Sequence, residues 1–273
     1  MLYLDGPRPR VFGHRGASGE APENTLPAFA AAIAAGADRI ELDVHRTADG
    51  EIVVLHDERV DRTTDGSGAV AELSYAALAR LDAGCRFRAE DGSCPAAGQG
   101  VRVPRLAEVL EAFPGVPVNI EIKPDDPRAV VGTLEVLDRS GARGRTLLAA
   151  EDGARMARIR EAAPDVLTGF SAMEVADFIA RGAEVDEALA RGATPPYRAP
   201  GFALQVPPSF WGVPVVTAET VARAHALGVE VHVWTINDVA EMEALLALGV
   251  DGLMSDFPAR AVGLLRRLGL RAA

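Results

Sequence analysis

Two spacings of apolar residues take turns along the chain. In the first, apolar and polar positions trade places at every residue, or a short run is wholly apolar, and both patterns predict strands. Such runs lie at 10–14, 39–45, 118–122, 146–150, 166–170, 202–206, 229–234 and 251–255. In the second, apolar residues return three and four positions apart, which predicts helices. These cover 26–35, 106–113, 128–139, 154–163, 174–191, 218–227 and 239–248, with a last helix from about Ala259. The first helix has its end signals: Thr25 as N-cap, Pro27 in the first turn and Gly36 at the close. Pro114 and Pro164 stop two others. Gly182 weakens the reading of 174–191 as one continuous helix.

Eight strands alternating with helices predict an α/β protein, a (β/α)8 TIM barrel. A doubly wound open sheet is the competing architecture, but no GxGxxG fingerprint follows any strand. The rhythm breaks once, after the second strand. Asp49-Gly50 between apolar runs predicts a hairpin that returns at 52–55 and ends on His56-Asp57. From 58 to 103 the periodicity fails, apart from a helix-like patch at Leu73, Leu78 and Leu81. That stretch has too few apolar residues for a core of its own. Residues 1–273 therefore read as one barrel domain with a small insertion at about 58–103.

Composition changes this picture little; charge narrows it. A net charge of −11 speaks against nucleic acid as a partner, which needs a basic footprint. It also means that an anionic substrate needs local positive charge. Cys85 and Cys94 lie in a Gly-rich stretch without histidine ligands at metal spacing and read as reduced thiols. The opening MLYLDGPRPR lacks the apolar segment of a signal peptide, and no run reaches the length of a membrane span. The expectation is a cytoplasmic protein without stable membrane insertion. Lys123 is the only lysine in a chain that otherwise uses arginine, a hint that a compact ammonium is wanted there.

If the apolar faces of the strands pack on helices, Glu41, Asp43, Glu121 and Lys123 turn into the barrel mouth. Active sites of such barrels sit at that end. Three converging carboxylates repel one another and resist desolvation, so a cation among them is expected. All-oxygen ligands favour one hard divalent ion, Mg2+ or Ca2+. His14 ends the first strand beside Arg15, and His56 ends the hairpin; an imidazole pair can divide acid and base roles near neutral pH. Gln205 and Trp234 also point inward, with Trp234 as pocket wall and His232 as core. His45 is either a supporting residue or solvent-exposed. His225 reads as surface. Asp256 reads as a cap of the final helix, and Asp57 either orients His56 or stays solvated. With one divalent ion the three carboxylates keep one negative charge, and Arg15 and Lys123 make the pocket net positive by one. That balance suits a monoanion such as a phosphodiester, although a carboxylate carries the same charge. Metal, Arg and Lys around a phosphoryl group would stabilise its transition state.

The stretches HRGASGEAPENT, IELDVHRTADGEIVVLHD, NIEIKP, VWTIN and GVDGLMSDFP, in that order, closely resemble the glycerophosphodiester phosphodiesterase family. The resemblance runs from Gly13 to about Pro258. It implies a (β/α)8 barrel with an insertion after the second strand. It implies His14 and His56 as the general acid–base pair, Arg15 and Lys123 as phosphate contacts, and Glu41, Asp43 and Glu121 as metal ligands. The implied reaction is hydrolysis of a small-molecule glycerophosphodiester to glycerol 3-phosphate and an alcohol. The alternative on the same barrel is lysophospholipase D-like cleavage of lysophospholipids. That needs an apolar landing surface near the pocket, and the insertion carries only scattered large apolar residues.

Overall fold

In the computed structural model, which describes residues 2–272, strands and helices alternate as the pattern predicts. β1 (Arg10–Gly13), α1 (Leu26–Ala34), β2 (Arg39–Arg46) and the short β3 (Ile52–Val54) come first. After the insertion, with its one-turn α2 (Tyr75–Leu78), come α3 (Leu106–Ala112), β4 (Val118–Ile122), α4 (Pro127–Arg139) and β5 (Thr146–Ala149). Next are α5 (Gly153–Ala162), β6 (Leu167–Thr168), α6 (Ala172–Ala180), α7 (Gly182–Ala190) and β7 (Ala203–Val206). A small hairpin, β8 (Ser209–Phe210) and β9 (Val213–Pro214), precedes α8 (Ala218–Ala226). The chain closes with β10 (Glu230–Val233), α9 (Val239–Ala247), β11 (Gly252–Ser255) and α10 (Pro258–Arg267).

The parallel strands run in the order β6-β5-β4-β2-β1-β11-β10-β7. The two ends meet where Gly169 bridges Ala203, and the Phe202 and Phe170 amides bond across the seam at 2.7 and 3.1 Å. The result is a nearly closed eight-stranded barrel. β3 lies outside this path and pairs antiparallel with β2 through Val44 and Val54.

Each strand has an apolar face toward the helices. Ile40, Leu42 and Val44 of β2 and Val118, Ile120 and Ile122 of β4 are buried in one cluster with Phe29, Leu106 and Leu134. The opposite faces of these strands fill the barrel with polar groups. At its lower layer, Gln205 donates one amide hydrogen to Asn119 Oδ1 (2.8 Å) and another to His232 Nδ1 (3.3 Å). His232 donates in turn from Nε2 to Glu230 (2.9 Å), which Arg10 holds through both carboxylate oxygens at 2.7 and 2.6 Å. Tyr3 is buried there too, and Arg39 lies over its ring at 4.9 Å. These pairings neutralise charges that burial alone would make very costly.

Two expectations change. The predicted helix over 174–191 is two helices broken at Arg181. Glycine is required where the second helix begins: a Cβ on Gly182 would lie 2.4 Å from the Arg223 guanidinium, which Asp186 holds at 2.8 and 2.6 Å. The insertion, in turn, does bury an apolar cluster. Val60, Val70, Leu78 and Val103 pack with Val53 and Leu55, which the β3 hairpin lends to it.

Candidate active site

The barrel mouth is built from the ends of β1, β2, β4 and β10 and the loops that follow them. β1 ends at Gly13, which places His14 and Arg15 on the rim. The chain then turns back at once: Arg15 has φ 55° and Gly16 has φ 86°. Gly16 is needed because a Cβ there would lie 2.6 Å from the backbone of Ala28 in α1. The turn aims the Arg15 amide at Glu41 Oε2 (2.9 Å). Its guanidinium reaches Glu23 at 3.0 Å and Asp43 at 3.3 Å.

The neighbouring registers Glu41↔Asn119 and Asp43↔Glu121 bring the acidic faces of β2 and β4 side by side. Asp43 is clamped by Asn24, which donates to Oδ2 at 2.9 Å and accepts from the Asp43 amide at 3.3 Å. Lys123 follows β4 and stands between Asp43 (3.2 Å) and Glu121 (2.9 Å). Burial alone would raise the Asp43 carboxyl, but the charges of Lys123 and Arg15 and the Asn24 bond hold it below its usual range. Glu41 goes the other way. It is buried, lies close to Asp43, and is pushed up to about 7.

Both rim imidazoles are held at Nδ1 by a carboxylate. His14 Nδ1 meets Asp256 Oδ1 at 2.8 Å, and His56 Nδ1 meets Asp57 Oδ1 at 2.7 Å. A neutral ring held this way donates from Nδ1 and presents Nε2 as a base. Burial opposes the charge on His14, but the Asp256 hydrogen bond and the Glu41 charge outweigh it and raise its pKa. Asp256 itself is lowered to about 2 despite its burial, by hydrogen bonds from His14, Ser18 and Asn237. Asp57 is lowered mainly by Arg62, which grips both of its oxygens and both oxygens of Glu23. Arg15, Glu23, Arg62, Asp57 and His56 thus form one continuous chain of contacts across the rim.

The structure gathers His14, Arg15, Glu41, Asp43, His56, Glu121 and Lys123 at one mouth. Gln205 does face inward, but its amide hydrogens go to Asn119 and His232 in the layer below. Trp234 stands partly exposed just beyond β10, its amide bonded to Val206 at 3.2 Å. His232 is fully buried, and His225, partly exposed, pairs with Asp251 at 2.8 Å. Beside Lys123 a cleft of about 390 Å3 opens, lined by Glu121, Arg155 and Met173 among others.

Several supporting residues escaped the sequence reading. Asp256 is not a helix cap: the N-cap of α10 is Phe257, and Asp256 is turned to His14. Of the two readings of His45 the supporting one holds: it is buried and bonds the His56 carbonyl through Nε2 at 3.0 Å. Glu23 and Asn24 from PENT, and Asn237 from VWTIN, hold Arg15, Asp43 and Asp256 respectively. The available signal was their place inside the same motifs as the rim residues.

Among the described residues, no three His, Cys, Asp or Glu side chains stand close enough together to hold a metal ion as they are. The donor chemistry nonetheless fits a hard cation. Glu41 is buried, and no arginine or lysine side chain lies within ion-pairing distance of it among the described residues, while Asp43 and Glu121 share the Lys123 ammonium.

Fold and rim together define a barrel enzyme whose acid-lined mouth also carries two carboxylate-held imidazoles, an arginine and a lysine. The model of the glycerophosphoryl diester phosphodiesterase family matches residues 14–260, and the chain belongs to that family. It is 32% identical to a glycerophosphodiester phosphodiesterase of Bacillus altitudinis, over 93% of this chain and 96% of that one. It is 27% identical to a lysophospholipase D of Mus musculus, over 92% of this chain and 84% of the relative. A phosphodiesterase of Oleispira antarctica, solved in complex with the product sn-glycerol-3-phosphate, superposes with a TM-score of 0.75 at 26% identity. That match covers 95% of this chain and 97% of the neighbour.

Proposed function

We propose that this phosphoric diester hydrolase cleaves glycerophosphodiesters to glycerol 3-phosphate and an alcohol, by histidine acid–base catalysis with a bound divalent cation. The observation that supports the reading is the pair of rim imidazoles, each tied at Nδ1 to a carboxylate, at the mouth where Arg15 and Lys123 both reach Asp43. Arg15 and Lys123 bind the phosphoryl oxygens and hold the phosphorus between the two Nε2 atoms. His56 accepts the proton of the nucleophile, water or the glycerol 2-hydroxyl, as its oxygen bonds to phosphorus. His14, whose charged ring the Asp256 hydrogen bond favours, gives its proton to the alkoxide as the phosphorus–oxygen bond breaks. If the 2-hydroxyl attacks, a cyclic phosphate forms and water opens it with the two roles exchanged.

Glu41, Asp43 and Glu121 would hold the cation, Mg2+ or Ca2+, which supplies Lewis-acid polarisation of the phosphoryl group. Trp234 and Gln205 form wall and floor of the pocket. The cleft beside Lys123 offers room for a head group. The Oleispira complex with sn-glycerol-3-phosphate supports the assignment of product.

The test is a panel of glycerophosphodiesters assayed after chelation and after re-addition of each metal. Release of glycerol 3-phosphate that vanishes on chelation and returns with Mg2+ or Ca2+ is expected. Full activity in the chelated enzyme would remove the metal from the reading; inactivity on every diester would remove the reading itself. A second substrate class, lysophospholipids, has the mouse relative in its favour.

A further inference from the structure

After β7 the chain does not go directly to its helix. It first makes the β8–β9 hairpin, paired through Ser209↔Pro214 and Phe210↔Val213. β7 is parallel to its barrel neighbours, so this hairpin rises from the same end as His14, Asp43 and Lys123. All four strand residues are exposed. Trp211 is 92% exposed, the highest value among the large hydrophobic residues, with Phe210 at 59% and Val213 at 65%. The Phe210 and Trp211 rings stack at 4.9 Å between centroids. Pro207, Pro208 and Pro214 stiffen the stem, and the Val215 and Val216 amides tie it to the Pro208 carbonyl at 2.9 and 3.1 Å.

The turn makes the tryptophan harder to explain by folding. Trp211 has φ 48° and Gly212 φ 78°, the two left-handed positions of a type I′ turn. Asn or Gly suits the first of these; a bulky aromatic residue is strained there. Burial of the ring would offset that strain, but the ring is in water. Beyond the stack on Phe210, itself exposed, the fold gives Trp211 no burial to offset that strain, so a binding role is the physical alternative.

We infer that the Ser209–Pro214 hairpin docks the barrel mouth onto a zwitterionic lipid surface. A stacked Phe-Trp pair with a neighbouring valine, on a rigid two-stranded stem, matches the amphipathic zone of lipid head groups, where tryptophan is favoured. The hairpin itself carries no charge, and the net charge of −11 opposes an anionic membrane. Docking would turn the phosphodiester site toward the interface and give it access to lysophospholipids. This is the landing surface that the insertion lacks, since Val70 and Leu78 there are spent on its own cluster. The substrate consequence rests on the phosphodiesterase reading; the docking itself does not.

The test uses phosphatidylcholine vesicles and three proteins: wild type, Trp211→Asn and Phe210→Ser. Wild type is expected to sediment with vesicles, with a blue shift in tryptophan emission. Trp211→Asn should bind about tenfold more weakly or worse and lose most of the shift, because Trp234 is the only other tryptophan. Asparagine fits the turn, so its thermal midpoint should stay or rise. Turnover of glycerophosphocholine should not change in either variant, while turnover of micellar lysophosphatidylcholine should fall about tenfold with the lost docking. Equal sedimentation of wild type and Trp211→Asn, or no partition at all, would overturn the inference. So would a midpoint several degrees lower in Trp211→Asn, or a wild-type dimer that this substitution dissolves. A wild type that binds vesicles but hydrolyses neither substrate would sink the phosphodiesterase reading and leave the docking standing.

Discussion

At the scale of single residues, the rim works through partners more than through isolated groups. His14 is useful because Asp256 fixes its ring, and Asp256 is fixed by Ser18 Oγ (2.7 Å) and Asn237 Nδ2 (2.7 Å). Replacing His14 or His56 by Ala should cut the turnover number about 10²-fold or more in the metal-loaded enzyme, read by steady-state kinetics. Near-wild-type turnover in either variant would contradict the acid–base assignment. Asp256→Asn is expected to act more softly. It should lower turnover about tenfold or more by releasing the ring. It should also move the His14 limb of the pH–rate profile to lower pH, since Asp256 is what favours the charged ring. A loss of rate with an unmoved profile would make Asp256 merely structural.

At the scale of elements, the site depends on how closely α1 approaches β1. Gly16 sits against the backbone of Ala28, where nothing flexible can give way. Gly16→Ala should therefore cost about 2 kcal/mol or more, from left-handed strain and overpacking together. Denaturant unfolding would read this as a lower midpoint at unchanged slope. An unchanged midpoint would mean that the loop, and Arg15 with it, can shift freely. The strands, most of the helices and the β2–β3 hairpin were legible from apolar period and end signals. The break at Arg181 was signalled only as the weakening that Gly182 brings; that this position admits no side chain depends on Arg223 of α8, far away in sequence. The hairpin after β7 was missed for another reason: two residues per strand are too few for any period to show.

At the scale of the whole molecule, charge buried in the barrel should set the acid limit. His232 is fully buried, and burial holds its pKa below the usual value despite the Glu230 hydrogen bond. The unfolded chain therefore binds a proton below about pH 6.5 that the fold refuses, and stability falls by up to about 1.4 kcal/mol per pH unit there. Burial works against the Glu230 carboxylate, but the His232 bond and the Arg10 charge outweigh it and lower its pKa. Its contribution is present above the unfolded value near 4.3 and is lost as pH falls through the folded one. Across pH 7 to 4 the thermal midpoint of His232→Gln should fall less than that of wild type; the comparison isolates His232 from Glu41, whose raised pKa works in the opposite sense and is present in both proteins. An equally steep decline in that variant would place the linkage elsewhere. Among the described residues, no helix is long and apolar enough to cross a membrane.

The sequence by itself determined the barrel and which side chains face its mouth. Both follow from local period: two for a strand face, three to four for a helix face, with motifs that put His14 and Lys123 just past strand ends and Asp43 on the inward face of β2. Tertiary structure alone decided what those side chains touch. Asp256 lies 242 positions from His14, Asn24 stands 19 from Asp43, and Gln205 meets Asn119 across 86. Such pairs form when barrel closure brings distant strand ends together, and no local pattern encodes them. Tertiary structure also left Trp211 in water on the rim, a fact of burial that the letters SFWG could not show.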